Sequence, residues 1–430
     1  MSYVKQVPLL RFKEFSNLWK KERMGDFIDF QSGNAFKSFE MSNDQGKYQL
    51  IKMSNVYKNE LRLDRNPSFW NDLEEKHRKF LLKKGDTVLT LTGTVGKKDY
   101  GYSINIPLDD RYLLNQRLIR LREIEGVSVN GFINYELKTN KFLHYFFNES
   151  KGGTGNQSNV GVEDIKNIKV NIPSIKEQQK ITSFLSSVDK KIESLQKKKA
   201  LLEEYKKGIM QKIFSQELRF KPDLSEVEGD DDGNEYPDWE EKKLDDIGYT
   251  INGLTGKTKK DFGQGKPYIQ YKQIFDSSKI DIGKCGLVDI SKDDNQTNVQ
   301  YGDVFFTTSS ETPDEIGTSS VLLEDVDEMY LNSFCFGFRT DLKILFPAFS
   351  QYIFRSKEFK KKIIPLAQGS TRYNISKSAF IKLTINLPSM EEQLKIANFL
   401  SAIDDKIQLV HTQIEETKEF KKGLLQQMFV

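Results

Sequence analysis

Residues 172–214 read IPSIKEQQKITSFLSSVDKKIESLQKKKALLEEYKKGIMQKIF, and residues 387–429 read LPSMEEQLKIANFLSAIDDKIQLVHTQIEETKEFKKGLLQQMF. They align without a gap at an offset of 215, with 18 of 43 positions identical. Such a match is an internal duplication, and a repeat governs the architecture of the chain that carries it. Each copy opens on Pro173 or Pro388, then on Ser174 or Ser389 as N-cap, with Glu177 or Glu392 at the capping-box position three residues on. Apolar residues follow at alternating steps of four and three: Ile181, Leu185, Val188, Ile192, Leu195 and Leu202 in the first copy, Ile396, Leu400, Ile403, Ile407, Val410 and Ile414 in the second. This is a heptad seam, broken by Lys199 and Lys206 and by Thr417 and Lys421. The spacing predicts two helices of about 35–40 residues, each roughly 50–60 Å long. A simple helix hairpin or a homodimerisation zipper would carry the same seam, so the rest of the chain must choose.

Outward from the helices the similarity weakens but keeps its order. Trp19–Gly33 resembles Trp239–Gly253, and Gly85-Asp86 before a Thr-rich run resembles Gly302-Asp303 before VFFTTSSE. Leu114-Asn115 through Arg122 matches Leu331-Asn332 through Arg339, both alternating like strands, and residues 153–173 match 368–388. The expected order is therefore a globular domain over 1–171, a helix over 172–221, a linker over 222–241, a second domain over 242–386 and a second helix over 387–430. The linker carries no Lys or Arg against 10 Asp and Glu, the composition of a solvated connector. It masks a basic remainder: residues 1–175 hold 28 Lys and Arg against 21 Asp and Glu, and 176–221 hold 12 against 6.

At 430 residues the chain exceeds one ordinary core. No apolar run approaches the roughly 18 residues of a membrane span, and the start lacks a secretory layout, which predicts a cytoplasmic protein. Two cysteines and three histidines offer neither a disulfide framework nor a metal array, so no metal is expected in this chain.

The pattern Pro-Ser-x-x-Glu-Gln-x-x-Ile-x-x-Phe-Leu-x-x-x-Asp-x-x-Ile, from Pro173 and again from Pro388, ending in Lys-Lys-Gly-x-x-Gln-x-x-Phe, resembles the specificity subunits of Type I restriction-modification systems. The resemblance implies an α+β chain. Two strand-rich target-recognition domains in pseudo-twofold arrangement would be joined by the two helices, paired as an antiparallel coiled coil. It implies that each domain reads half of a split, asymmetric DNA target while the helices set the spacer. The partners it implies are double-stranded DNA, two modification (methyltransferase) subunits and restriction (motor-nuclease) subunits. S-adenosylmethionine, ATP and Mg would belong to those partners, with no cofactor in this chain. A self-contained methyltransferase or nuclease, and a coiled-coil scaffold binding only protein, are the competing readings.

Base-edge readout needs amides, hydroxyls and guanidinium groups on loops, and phosphate contacts need Lys or Arg. Three kinds of segment qualify. The first holds Lys52, Ser54 and Asn55, with Lys272 and Gln273 as rough counterparts. The second holds Thr92 and Thr94, matched by Thr308, Ser309 and Ser310. The third, favoured here, holds Thr154, Asn156, Gln157 and Ser158, matched by Ser370, Thr371, Arg372, Tyr373 and Asn374. Two apparent catalytic motifs fall away. Asn66-Pro67-Ser68-Phe69 lacks the second proline of amino-methyltransferase motifs and reads as a turn, and Gly253 to Thr258 has two residues between glycines where a phosphate loop needs four. The histidines have no partners by spacing, so no catalysis is expected from this chain.

Overall fold

A computed structural model describes residues 7–152, 157–222, 235–291, 293–369 and 371–430. Contacts divide the chain into two units, Met1–Gln196 with Thr412–Val430, and Lys197–His411. The long helices, Ile175–Phe214 and Met390–Met428, are each shared between the units. Each unit thus holds one globular domain, the first half of the helix that follows it and the second half of the other helix. Sequence order cuts the chain into consecutive pieces, whereas contacts cut across both helices.

The expected α+β class is what the chain adopts, and the two units repeat one internal plan. In the first, a four-stranded antiparallel sheet runs in the order Ser103–Asn105, Thr87–Thr90, Leu118–Glu123, Ile28–Ser32. The second unit has the same order with Ser319–Val321, Val304–Thr307, Cys335–Thr340 and Gly248–Asn252. Side chains alternate across a strand, so each sheet feeds two cores. Leu89, Ile119 and Leu121 enter one core of the first unit, while Val88 and Leu118 enter the other. Phe306, Phe336 and Phe338 enter one core of the second unit, while Phe305 and Cys335 enter the other. Beside each sheet lies a second one, four-stranded in the first unit and three-stranded in the second, built on a parallel pair, Tyr48–Ile51 with Tyr112–Leu114 and Phe262–Ile269 with Tyr330–Leu331.

The matched glycines have a steric reason. A Cβ on Gly33 would stand 1.9 Å from the carbonyl oxygen of Asn115, and one on Gly253 would stand 2.1 Å from that of Asn332. Only hydrogen fits where the strand passes that backbone. Each domain is then closed next to its helix by its first and last strands, Lys20–Arg23 with Lys169–Ile172 and Glu240–Lys243 with Thr384–Leu387. Glu240 and Glu241, assigned to the linker by charge, are strand residues instead, because a strand edge was available to pair them.

Both long helices start where the N-caps are predicted: Ser174 Oγ accepts from the Glu177 amide and Ser389 Oγ from the Glu392 amide. The capping-box role of the two glutamates is corrected, since their carboxylates bind Arg11 and Trp19, or Arg219 and Trp239. The helix halves pair antiparallel within each unit. In the first, the Leu10 N–H donates to Gln427 C=O and Arg11 holds Glu177, while farther along Lys421 holds Asp189. In the second, the Leu218 N–H donates to Lys212 C=O, Arg219 holds Glu392 and Lys206 holds Asp404. Of the seam positions, Ile181, Leu185 and Val188 are buried with Leu424, Met428 and Phe429, and Ile396, Leu400 and Ile403 with Ile213 and Phe214. Val410 and Ile414 are buried as well, whereas Ile192, Leu195, Leu202 and Ile407 are half-buried. No helix among the described residues is long and apolar enough to cross a membrane.

Candidate nucleic-acid interface

Two duplicated polar clusters fix each domain to its helices. In the first, the Arg11 guanidinium donates to both carboxylate oxygens of Glu177 at 2.7 and 2.8 Å, and Trp19 Nε1 donates to the same carboxylate at 3.2 Å. Arg219, Glu392 and Trp239 repeat the arrangement at 2.8 and 3.1 Å. Both glutamates are buried, and guanidinium, indole and the helix N-terminus face each carboxylate, the surroundings a buried anion requires. The hydrogen bonds that Arg11 and Arg219 donate to Glu177 and Glu392 raise the affinity of the two guanidinium groups for their protons. Sequence reasoning missed this cluster although its signal was present: Leu-Arg-Phe-Lys occurs at 10–13 and again at 218–221. Its phenylalanines repeat too, Phe12 edge-on to Phe184 at 5.8 Å and Phe220 to Phe399 at 5.3 Å.

The second cluster explains the seam breaks at Lys206 and Lys421 and the motif aspartates. Lys421 Nζ lies 2.5 Å from Asp189, Tyr135 OH donates to Asp189 at 2.9 Å, and the ammonium sits 5.5 Å from the Tyr135 ring. Lys206, Asp404 and Tyr352 give 2.5, 2.9 and 5.1 Å for the same contacts. Burial beside a carboxylate raises both phenols, which therefore stay neutral donors.

Against this fixed frame the candidate reading segments separate. Asn55 is a correction. It is fully buried, its Oδ1 accepts from the Lys52 amide, and its Nδ2 donates to the carbonyls of Arg62 and Arg65. A buried amide with those bonds cannot reach a base edge. Lys52 is half-buried and donates to Ser68 Oγ at 2.9 Å, with its pKa lowered by burial, and Ser54 lies beside it in the same 3-10 turn. Their rough counterparts are not a loop but the helix Tyr271–Asp276, on which Lys272 pairs with Asp276 and Gln273 Nε2 donates to Asp281 C=O.

The second and third kinds of segment are brought together, in both units, as paired strands. Gln157–Asn159 runs antiparallel to Thr92–Thr94, placing Asn159 opposite Thr92 and Gln157 opposite Thr94. Tyr373–Asn374 runs antiparallel to Ser309–Ser310, placing Asn374 opposite Ser309. Gln157 and Asn159 are exposed with Ser158 buried between them, and Arg372 and Asn374 are exposed around half-buried Tyr373. Thr371 is exposed and Thr308 half-buried. Thr92 and Ser309 are buried, and Thr94 is held by Asp99 through its amide and hydroxyl, so these residues support the exposed strand. Thr154, Asn156 and Ser370 lie outside the described residues. Beside Arg372 a cleft of about 310 Å³ is lined by Tyr271, Phe275, Phe334, Glu311 and Glu315, with Tyr271 OH donating to Ser309 C=O at 2.8 Å.

Two copies of one frame carrying different exposed side chains match a known family. The profile described as the Type I restriction modification DNA specificity domain matches residues 17–204 and again 236–419. The chain belongs to that family. Among its relatives, the Type I restriction enzyme MjaVIII specificity subunit of Methanocaldococcus jannaschii is 23% identical over 96% of this chain and 94% of its own length. The putative MjaX specificity subunit of the same organism is 26% identical over 63% of this chain and 60% of its own. Two solved structures share the fold. The S subunit of a Type I restriction-modification system from M. genitalium has a TM-score of 0.55 at 15% identity and 99% coverage of both chains. A chain from a study of complex assembly and conformational transition of the Type I R-M system also gives 0.55 at 15% identity, covering 95% of this chain and 96% of that one. In this member of the family both matched segments end inside a long helix, so a specificity domain includes part of the helix after it.

Proposed function

We propose that the chain reads a bipartite, asymmetric DNA target with one domain per half-site and so directs adenine methylation, and restriction, by partner subunits. The carrying observation is the paired-strand site present in both domains with unmatched exposed side chains, Gln157 in one against Arg372 in the other. Equal frames dock equally on a duplex, and unequal side chains select unequal bases. The chain itself acts without bond chemistry in this reading. Methyl transfer with S-adenosylmethionine, and ATP- and Mg-dependent cutting, fall to the partners.

Duplicated exposed residues on the helices support two copies of one methyltransferase partner. Tyr205 and Phe420, 215 positions apart, are 52% and 57% exposed on otherwise charged stretches. A repeated apolar anchor suits a repeated partner. The decisive experiment maps methylated adenines genome-wide in cells with and without this gene. A split motif with two different halves, lost on deletion, is the expected result; methylation unchanged by the deletion would reject the reading.

A further inference from the structure

Gln157 and Arg372 occupy corresponding places in the two domains, Gln157 as the first residue of its strand and Arg372 immediately before its strand. They lie 215 residues apart, and each stands two residues before an asparagine, Asn159 or Asn374, that pairs with the equivalent strand. Both side chains are exposed, and among the described residues no hydrogen bond or ion pair engages the Gln157 amide or the Arg372 guanidinium. For the arginine this is distinctive. The second unit has three other arginines: Arg219 holds Glu392, Arg339 holds Asp303, and Arg355 donates to the carbonyls of Ile274, Ser277 and Ser319. Of these four arginines Arg372 alone is left with its fork unused. Gln368 and Asn374 exchange both backbone hydrogen bonds, at 3.0 and 2.8 Å, and close the hairpin. Gly369 turns it at φ +130°, where a Cβ would meet the Arg372 carbonyl oxygen at 2.1 Å.

We propose that this is one specificity-determining position used twice, with Arg372 pairing with a guanine in one half-site and Gln157 pairing with an adenine in the other. The chemistry follows from donor patterns. A guanidinium fork donates two hydrogen bonds to the O6 and N7 acceptors of guanine, whereas a carboxamide donates to N7 and accepts from N6 of adenine. The proposal rests on the DNA-reading function above and adds which side chain reads which base.

The test uses the full chain assembled with its methyltransferase subunits. In Arg372→Gln, one position of one half-site should change from guanine to adenine while the other half-site is unchanged, and methylation of the original target should fall by about 5- to 150-fold. Gln157→Arg should change the other half-site in the reverse sense. An unchanged motif at full rate overturns the assignment. So does a uniform weakening on every sequence with a shallower salt dependence, because that is a phosphate contact. Should Arg372→Gln prove inactive, the wild-type assembly is assayed on duplexes carrying 7-deazaguanine, which lacks the N7 acceptor, at each guanine in turn. About a tenfold loss at one guanine supports the proposal; no loss at any guanine, or a loss that persists in Arg372→Ala, overturns it. A wild-type assembly that methylates without regard to sequence would instead sink the DNA-reading function itself.

Discussion

The two units keep the same frame but differ in what they bury beside it. Tyr135 and Tyr352 are equivalent in their bonds to Asp189 and Asp404, yet the residue after the first is Glu136 and after the second Ile353. Ile353 joins the aromatic core of its unit. Glu136 is 2% exposed, its Oε2 has no partner among the described residues, and burial pushes its pKa up to about 8. One residue after the arginines that hold Asp86 and Asp303, Glu123 stands where the second unit has Thr340. Burial pushes Glu123 up to about 7. Two residues further on from Glu136 and Ile353 both units carry a desolvated cation: Lys138 is pushed down to about 7, while Arg355, pushed down to about 10, clamps four carbonyls. A duplicated frame thus tolerates costly substitutions in one copy when the other contacts remain.

Exchange of residues 1–171 for those of a relative should have the largest effect, replacing one half-site entirely while leaving the other, as read by methylation mapping. Replacement of both halves would break the independence of the units. Next, Arg219→Ala should leave the Glu392 carboxylate buried without its guanidinium and destabilise the second unit by about 3–5 kcal/mol, and Arg11→Ala should do the same to the first by stranding Glu177. Hydrogen exchange resolved by segment should show each loss confined to its own unit.

A pH scan sharpens the comparison further. A carboxyl whose folded pKa is raised stabilises the fold fully below its unfolded value near 4.5, and that contribution is lost as pH rises toward the folded value. The first unit should therefore lose stability between about pH 4.5 and 7, above which the depressed pKa of Lys138 works in the opposite sense, and the second should lack that slope. Glu136→Ile should remove about half of the slope, Glu123 carrying the rest, and stabilise the first unit by roughly 2 kcal/mol at pH 8. An unaltered slope in that variant would assign the dependence elsewhere. The smallest effect is expected from Lys421→Met or Lys206→Met, which break half-buried ion pairs worth about 1 kcal/mol each. Equal losses in chemical denaturation would show that the two clusters are energetically as well as geometrically repeated.

The long helices, their caps and the strand-rich order of the domains were legible because periodicity and spacing are local properties of a chain. The Arg11–Glu177 and Arg219–Glu392 pairs were missed because their partners lie 166 and 173 residues apart, a separation that leaves no periodic trace. Asn55 was misread for a related reason. A polar residue in a turn looks the same in sequence whether its amide faces solvent or the carbonyls of Arg62 and Arg65.

By itself the sequence determined that this protein is a duplication built on two long helices, since an offset of 215 and a heptad seam need no coordinates to be seen. Only the tertiary structure decided that each unit takes half of both helices, and that Gln157 and Arg372 stand exposed on corresponding paired strands or at their start while Asn55 is spent inside the fold. The physical reason is that burial and strand register depend on residues distant in the chain, which satisfy or leave open each polar group.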